Sequence, residues 1–349
     1  MTQTPGLVVM LGSGETLASS GKAHEYVAQH SPDKPNIVIL ETPAGFEPNS
    51  DAVAGKIKEF LDKRLQNYKP DINVLPARKR GTPYSPDNFE VVSPILLADE
   101  ILLGPGSPSY GARQLRNSLA SRMIQARHFM GSNLFLSSSS TLAFSRFTMP
   151  VYEIYKVGED LHWKDGVDFL SPYGLKTAVI PHWDNSDGGS DLDTSRCYMG
   201  QDRFGQLTDM LPEDTTIIGI DEHTSLIIDF SEAYCKVLGN GTVTIIRGGE
   251  EQVFKTGETF LIDVLGDWRI PEPADLPQEE MQMVTDAIAK AEADAQQEGP
   301  TQDVLALADQ RWAAKNNRDW AAADQLRDEI ENLGWKILDS KDGYSLEPV

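Results

Sequence analysis

Residues Gly131 to Phe147 read GSNLFLSSSSTLAFSRF. Asn133 to Leu136 has the length and apolar character of a buried strand. Ser137 to Ser140 are four small polar residues, and Leu142, Ala143 and Phe144 open a helical pattern. A strand, a sharp turn of small residues and a helix form the geometry of a nucleophile elbow. It lifts a hydroxyl above the carboxyl end of a strand, where N–H groups at the helix start face a developing oxyanion. The usual pattern is G-x-S-x-G; here Leu136 to Ser140 reads LSSSS, without glycine. The plainer reading is a helix start capped by serine. The rest of the chain has to separate the two.

Outward from this stretch, strand and helix patterns alternate. Leu7 to Leu11, Asn36 to Leu40, Ile72 to Leu75 and Ala98 to Leu103 read as strands, with helical spacing in Ala23–Gln29, in Ala52–Tyr68 and through Leu115, Leu119 and Ile124. Several strands run into small or polar residues: Gly12-Ser13-Gly14-Glu15-Thr16, Glu41-Thr42-Pro43-Ala44, and Gly104 to Pro108. This pattern predicts an α/β fold, a mostly parallel sheet covered on both faces as a three-layer sandwich. In such sheets ligands bind beyond the carboxyl ends of the strands, so Glu15, Glu41, Gly104–Ser107 and Ser138 are expected along one rim. GSGET is too incomplete for a phosphate loop and reads instead as backbone passing close to that rim.

Two later strands end in polar runs. Leu175–Ile180 leads to Pro181-His182-Trp183-Asp184-Asn185, and Thr216–Ile220 to Asp221-Glu222-His223-Thr224. A helix is expected over about Met199 to Leu211. From Tyr234 to Val264 short β segments, with Gly239-Asn240-Gly241 as a hairpin turn, predict a small antiparallel extension. PEPADLP, Pro271 to Pro277, breaks the pattern, and an acidic, Ala- and Gln-rich helix then runs to Gly299-Pro300. The expected organisation is an α/β domain over 1–270, a linker with a helix over 271–302, and a helical hairpin unit over 303–349.

The 349 residues carry a formal charge of −22, which disfavours phosphate-backbone binding; Arg78-Lys79-Arg80 reads as a solvated loop. No apolar run reaches membrane length, and MTQTPG lacks a basic region followed by an apolar core. The expected setting is a reducing cytoplasm with no membrane contact. Cys197 and Cys235 are the only cysteines and form no metal site by themselves; no metal or cofactor is expected.

Ser138, His182 and Glu222 thus stand at strand ends. A serine nucleophile needs a base, and the base an orienting carboxylate. The ordered motifs strand–GSGET, strand–GPGSP, serine elbow, PHWDN and GIDEHTSL, over roughly Leu7 to Val264, resemble the cyanophycinase/dipeptidase E family of serine peptidases. The resemblance implies the class I glutamine amidotransferase-like fold and cleavage of amide bonds beside acidic residues, in a small-molecule or peptide substrate. It implies Ser138 as nucleophile, Glu222 as acid, and the N–H groups of Gly106 and Ser139 as oxyanion donors, since Pro105 has none. The family's histidine lies later, where Asp193-Thr194-Ser195-Arg196-Cys197-Tyr198 has none. His182 and His223 are the substitutes, and His182 is the expected base. Arg146, Asn185, Arg196, Arg203 and His223 are expected to bind substrate, with Arg113 more remote. A glutaminase would need a cysteine nucleophile, and Cys197 stands in a loop rather than at an elbow.

The end of the chain carries a second resemblance. Arg311-Trp312-Ala313-Ala314-Lys315, the run Asp319 to Glu329, Leu333-Gly334-Trp335 and Asp339…Gly343 are similar to the C-terminal unit of cysteinyl-tRNA synthetases, whose catalytic motifs are absent here. The resemblance implies contact with tRNA. Yet residues 303–349 hold six Lys/Arg against ten Asp/Glu, which argues against RNA and for a protein partner or a homodimer. A noncatalytic binding protein that keeps the pocket and recruits a partner through this tail is the alternative expectation.

Overall fold

The computed structural model describes residues 4–340 and 343–349. The first three residues of MTQTPG, and Lys341 and Asp342 within the Asp339…Gly343 run, lie outside them. The chain divides into two compact units, Met1–Thr285 and Asp286–Val349.

The first unit opens as alternating strands and helices: β1 (Val8–Leu11), α1 (Ala18–Gln29), β2 (Asn36–Leu40), α2 (Ser50–Arg64), β3 (Asp71–Leu75), α3 (Phe89–Val92) and β4 (Glu100–Leu103). Then come α4 (Pro108–Leu115), α5 (Leu119–Phe129), β5 (Asn133–Ser137) and α6 (Ser139–Phe144). A two-residue pair, β6 (Phe147–Thr148) and β7 (Lys164–Asp165), precedes β8 (Thr177–Ile180), α7 (Gly200–Thr208) and β9 (Thr216–Ile220). The last strands are β10 (Thr224–Asp229), β11 (Tyr234–Gly239), β12 (Thr242–Arg247), β13 (Glu250–Lys255) and β14 (Thr259–Leu261).

The main sheet has eight strands in the order β14-β11-β10-β1-β5-β4-β2-β3. Its β1, β5, β4, β2 and β3 are parallel, and β10, β11 and β14 continue it antiparallel. The inner parallel strands are continuous apolar runs because both faces are covered; edge strand β3 alternates instead, its Ile72 and Leu75 buried and Asp71 and Asn73 exposed. Val27 of α1 and Ile57 and Leu61 of α2 close one face over Val9, Ile39 and Phe135.

Two features depart from the sequence expectation. β8 and β9 pair in parallel with each other but belong to a second sheet, β13-β12-β9-β8, rather than to the main one. The Gly239-Asn240-Gly241 turn is not a hairpin either. β11 pairs with β10 and β14, while β12 pairs with β9 and β13, so the turn carries the chain from one sheet to the other. Asp221–His223 makes the same crossing in the opposite direction, between β9 and the unanticipated strand β10. The crossings lock together: Asn240 N–H donates to His223 O, and Gly241 N–H to Thr224 Oγ1. Gly239, at φ 124°, passes so close that a Cβ would stand 2.3 Å from His223 O. Local turn chemistry says where the chain bends, whereas this tertiary seam decides what it pairs with.

Helix α8 (Gln278–Glu298) runs through the stretch read as part linker. The second unit contains α9 (Gln302–Asn316), α10 (Trp320–Asn332) and a hairpin of β15 (Trp335–Asp339) and β16 (Tyr344–Pro348). Val304, Ala308, Ile330 and Ile337 form its core. Leu305 is exposed, whereas Arg311 is buried and held by two bonds to Asp339. No helix among the described residues is long and apolar enough to cross a membrane.

Candidate active site

The serine run shows how an elbow forms without flanking glycines. Ser137 ends β5 beside Leu11 of β1, and Ser138 N–H donates to Leu11 O across that pair. The backbone then turns sharply, Ser138 taking φ 51° and ψ −115° before α6 begins. This is a region that non-glycine residues occupy only when the surroundings hold them there. The four hydroxyls have different fates. Ser137 donates to Glu15 Oε2, and Ser140 donates to Gly104 O at the neighbouring strand end. Ser139 Oγ is buried with no partner among the described residues. Ser138 Oγ alone meets a histidine, 2.9 Å from His182 Nε2.

His182 and Glu222 reach this point through strand register. Ile180 of β8 lies opposite Gly219 of β9, so the residues just beyond both strands emerge side by side. Leu11 of β1 in turn lies opposite Ser225 of β10, which brings the Asp221–His223 crossing to the edge where β1 and β5 end. His182 Nδ1 lies 2.7 Å from Glu222 Oε1. The same oxygen accepts a bond from Asn185 Nδ2 at 3.0 Å, and Glu222 N–H donates to Asp184 Oδ1. The hydrogen bond from His182, aided by that from Asn185 and opposed by burial, holds the Glu222 carboxyl down at about 2. With the carboxylate on Nδ1, the imidazole carries its proton there and presents Nε2 to Ser138 as an acceptor.

Gly106 and Ser139 line the cleft at Ser138 together with Tyr152, His182 and Tyr198. Gly106 has φ 153°, and a Cβ there would lie 2.0 Å from Pro43 O, so no other residue fits. Its N–H makes no loop bond among the described residues, and Ser139, first in α6, has no intrahelical acceptor for its own. Backbone strain gathers around the cleft. Besides Ser138, positive φ angles occur at His182 (51°), Arg196 (56°), Cys197 (58°), Tyr198 (70°) and His223 (59°). Arg196 N–H bonds to Trp183 O and Cys197 N–H to His182 O, which ties this left-handed turn to the histidine.

The five residues expected to bind substrate sit elsewhere. Arg146 pairs with Asp168. Asn185 is buried and holds Glu222. Arg196 stacks on Trp183 at 3.8 Å, and Arg203 donates to the carbonyls of Met199 and Tyr198. His223 packs against the GSGET turn, its Nδ1 buried and unpartnered among the described residues and its N–H donating to Ser13 Oγ. None of the five lines the cleft at Ser138. Glu41, just beyond β2, is buried and held by Ser50 and Arg78. Sequence reasoning passed over Asp184, although it stands in the quoted PHWDN run, and Tyr152 and Tyr198, for which the sequence carries no signal. Cys197 lines the cleft, yet burial pushes its thiol up to about 12, which leaves it unsuited to act as a nucleophile. Among the described residues no group of three His, Cys, Asp or Glu is placed to hold a metal ion.

No family model matches the chain. Its structure is similar to the crystal structure of a peptidase from an acI-B1 Actinobacterium, with TM-score 0.60 and 22% identity over 75% of this chain and 98% of that one. A putative peptidase E protein from Listeria monocytogenes EGD-e aligns at TM-score 0.42 and 12% identity, over 72% and 100%. By sequence the chain is similar to cysteine–tRNA ligases. That of Opitutus terrae is 63% identical over 47 residues, 14% of this chain and 10% of the ligase. That of Porphyromonas gingivalis is 32% identical over 104 residues, 30% and 17%. The chain thus spans less than a fifth of these ligases. It has the fold of the actinobacterial peptidase and a stretch, fitting its C-terminal unit, that resembles part of cysteine–tRNA ligases.

Proposed function

We propose that the chain is a serine hydrolase that cleaves amide bonds in small acidic peptides or related substrates. The observation that carries this reading is the unbroken chain from Ser138 Oγ to His182 Nε2 at 2.9 Å and from His182 Nδ1 to Glu222 Oε1 at 2.7 Å. Ser138 attacks the amide carbonyl while His182 takes its proton at Nε2. Glu222 holds the ring and stabilises the imidazolium. The N–H groups of Gly106 and Ser139 receive the oxyanion. His182 then protonates the departing amine, and a water deprotonated by the same nitrogen releases the acyl group from Ser138. The acidity of the substrate rests on the family resemblance, and the cytoplasm remains the proposed setting.

Intact-protein mass after exposure to a fluorophosphonate tests the reading. One adduct, absent from Ser138→Ala, is expected. No adduct under conditions where the protein is folded would sink it.

The likeness of the tail to cysteine–tRNA ligases favours a second reading, in which the pocket binds without turnover and the tail recruits a protein partner or a second copy. Ser138-dependent hydrolysis of an acidic peptide would exclude it.

A further inference from the structure

A second, larger cavity of about 990 Å³ adjoins the cleft at Ser138. The two share Tyr152 and the start of α4, where Gly106 and Pro108 face one and Ser107 and Ser109 the other. Five basic residues line it, Lys79, Arg80, Arg113, Arg116 and Lys164, against two acidic ones, Glu153 and Asp165. In a chain of net charge −22 this is a local reversal of sign. Three of the cations are neutralised: Arg80 by Asp87, Arg116 by Asp165 and Lys164 by Glu153. Lys79 and Arg113 make no ion pair among the described residues. Arg113 lies over the Tyr110 ring at 5.2 Å, and Phe46 flanks that ring at 5.1 Å. Two unpaired cations on an aromatic wall beside the nucleophile form a surface that attracts anions and guides them inward.

We propose that this cavity is an anion subsite in which Lys79 and Arg113 hold side-chain carboxylates of the substrate beyond the residue at the scissile bond, so that an oligo-acidic chain is favoured. The proposal rests on the reading of Ser138 as the nucleophile, and it deepens that reading by assigning the part of the substrate that does not react. Neither cation lines the cleft at Ser138, so their contribution is to binding. Tyr152, on the shared wall, is the residue past which the chain runs from one cavity to the other.

The test uses the full chain carrying Ser138→Ala, titrated with tetra-aspartate by calorimetry, so that binding is read without turnover. Lys79→Gln with Arg113→Gln is expected to weaken binding roughly tenfold, with a shallower salt dependence. Lys79→Arg with Arg113→Lys preserves charge and is expected to retain most of the affinity. Lys34→Gln with Lys69→Gln removes the same charge where the chain enters β2 and β3, at the opposite rim, and is expected to change little. Circular dichroism melting checks that each variant folds. Absence of binding, equal weakening by both neutralising pairs, or preferential binding of tripolyphosphate would overturn the subsite. Fluorophosphonate labelling of the unmodified protein reports separately on Ser138, so failure of the nucleophile and failure of the subsite give different results.

Discussion

The two units resemble known proteins in opposite ways. The α/β unit shares a fold with a peptidase at 22% identity, whereas 63% identity with a cysteine–tRNA ligase is confined to 47 residues. In the first unit the rim residues come from strand ends far apart in sequence: Gly106, Ser138, His182 and Glu222 meet only because two sheets join there. The C-terminal unit is built from contacts between neighbours in sequence, helix on helix and a hairpin closed within 14 residues. Tertiary pairing tolerates wide substitution provided that strand ends arrive in place. A small local unit has few ways to hold its shape and leaves a compact signature in its sequence.

Substitutions can break this comparison or sharpen it. Ser138→Ala is expected to abolish the fluorophosphonate adduct and lower turnover of an acidic peptide by about 10⁴-fold or more. Glu222→Gln keeps the shape but loses the charge that fixes the imidazole, and kcat is expected to fall about 10³- to 10⁴-fold with little change in KM. Gly106→Ala forces a Cβ against Pro43 O and displaces one of the two N–H groups proposed to receive the oxyanion. A loss of about 10²- to 10³-fold in kcat is expected, with a lower Tm. In the C-terminal unit, Arg311→Ala strips Asp339 of its bidentate partner and leaves it with Lys315. Breaking this partly buried pair is expected to cost about 2 kcal/mol, read as an earlier melting step of that unit while labelling of Ser138 is unchanged. A drop in labelling would mean that the units are not independent.

The smallest effect concerns acid. The Glu222 carboxyl stands at about 2 in the folded protein against an ordinary 4.5. Its contribution to stability is therefore complete above pH 4.5 and drains away as the pH falls towards 2. Glu222→Gln lacks that contribution, so its stability should fall less steeply across the same interval in acid-dependent denaturant melts.

Much of the α/β unit was legible because parallel strands covered on both faces must be continuous apolar runs, as VVML and NIVIL are. The rim was legible because such strands end in small and polar residues. The partition into two sheets was not, since β8 and β9 are mostly apolar and fully buried, as β1 is, and carry no mark of which sheet they join. The surroundings of the arginines were illegible for a related reason. Arg146, Arg196 and Arg203 are near Ser138 or His182 in the chain, but each is committed to a carboxylate, a ring or a carbonyl that the sequence does not reveal. The elbow was half legible. Serine could be seen to stand in for glycine, while the bond from Ser140 to Gly104 O that makes the exchange tolerable depends on a neighbouring strand.

The seam between the sheets divides Ser138, His182 and Glu222 unevenly. His182 follows β8 and Glu222 follows β9, paired strands of one sheet, while Ser138 follows β5 of the other. The residue proposed as base therefore rides on one slab and the one proposed as nucleophile on its neighbour, while Glu222 stands on the crossing that joins them. A slide of one slab over the other would stretch the contact between hydroxyl and imidazole. The competence of this site is thus a gauge of how firmly two layers are clamped, and Thr224 of β10, whose hydroxyl accepts from Gly241 N–H just ahead of β12, is one of the fasteners between them.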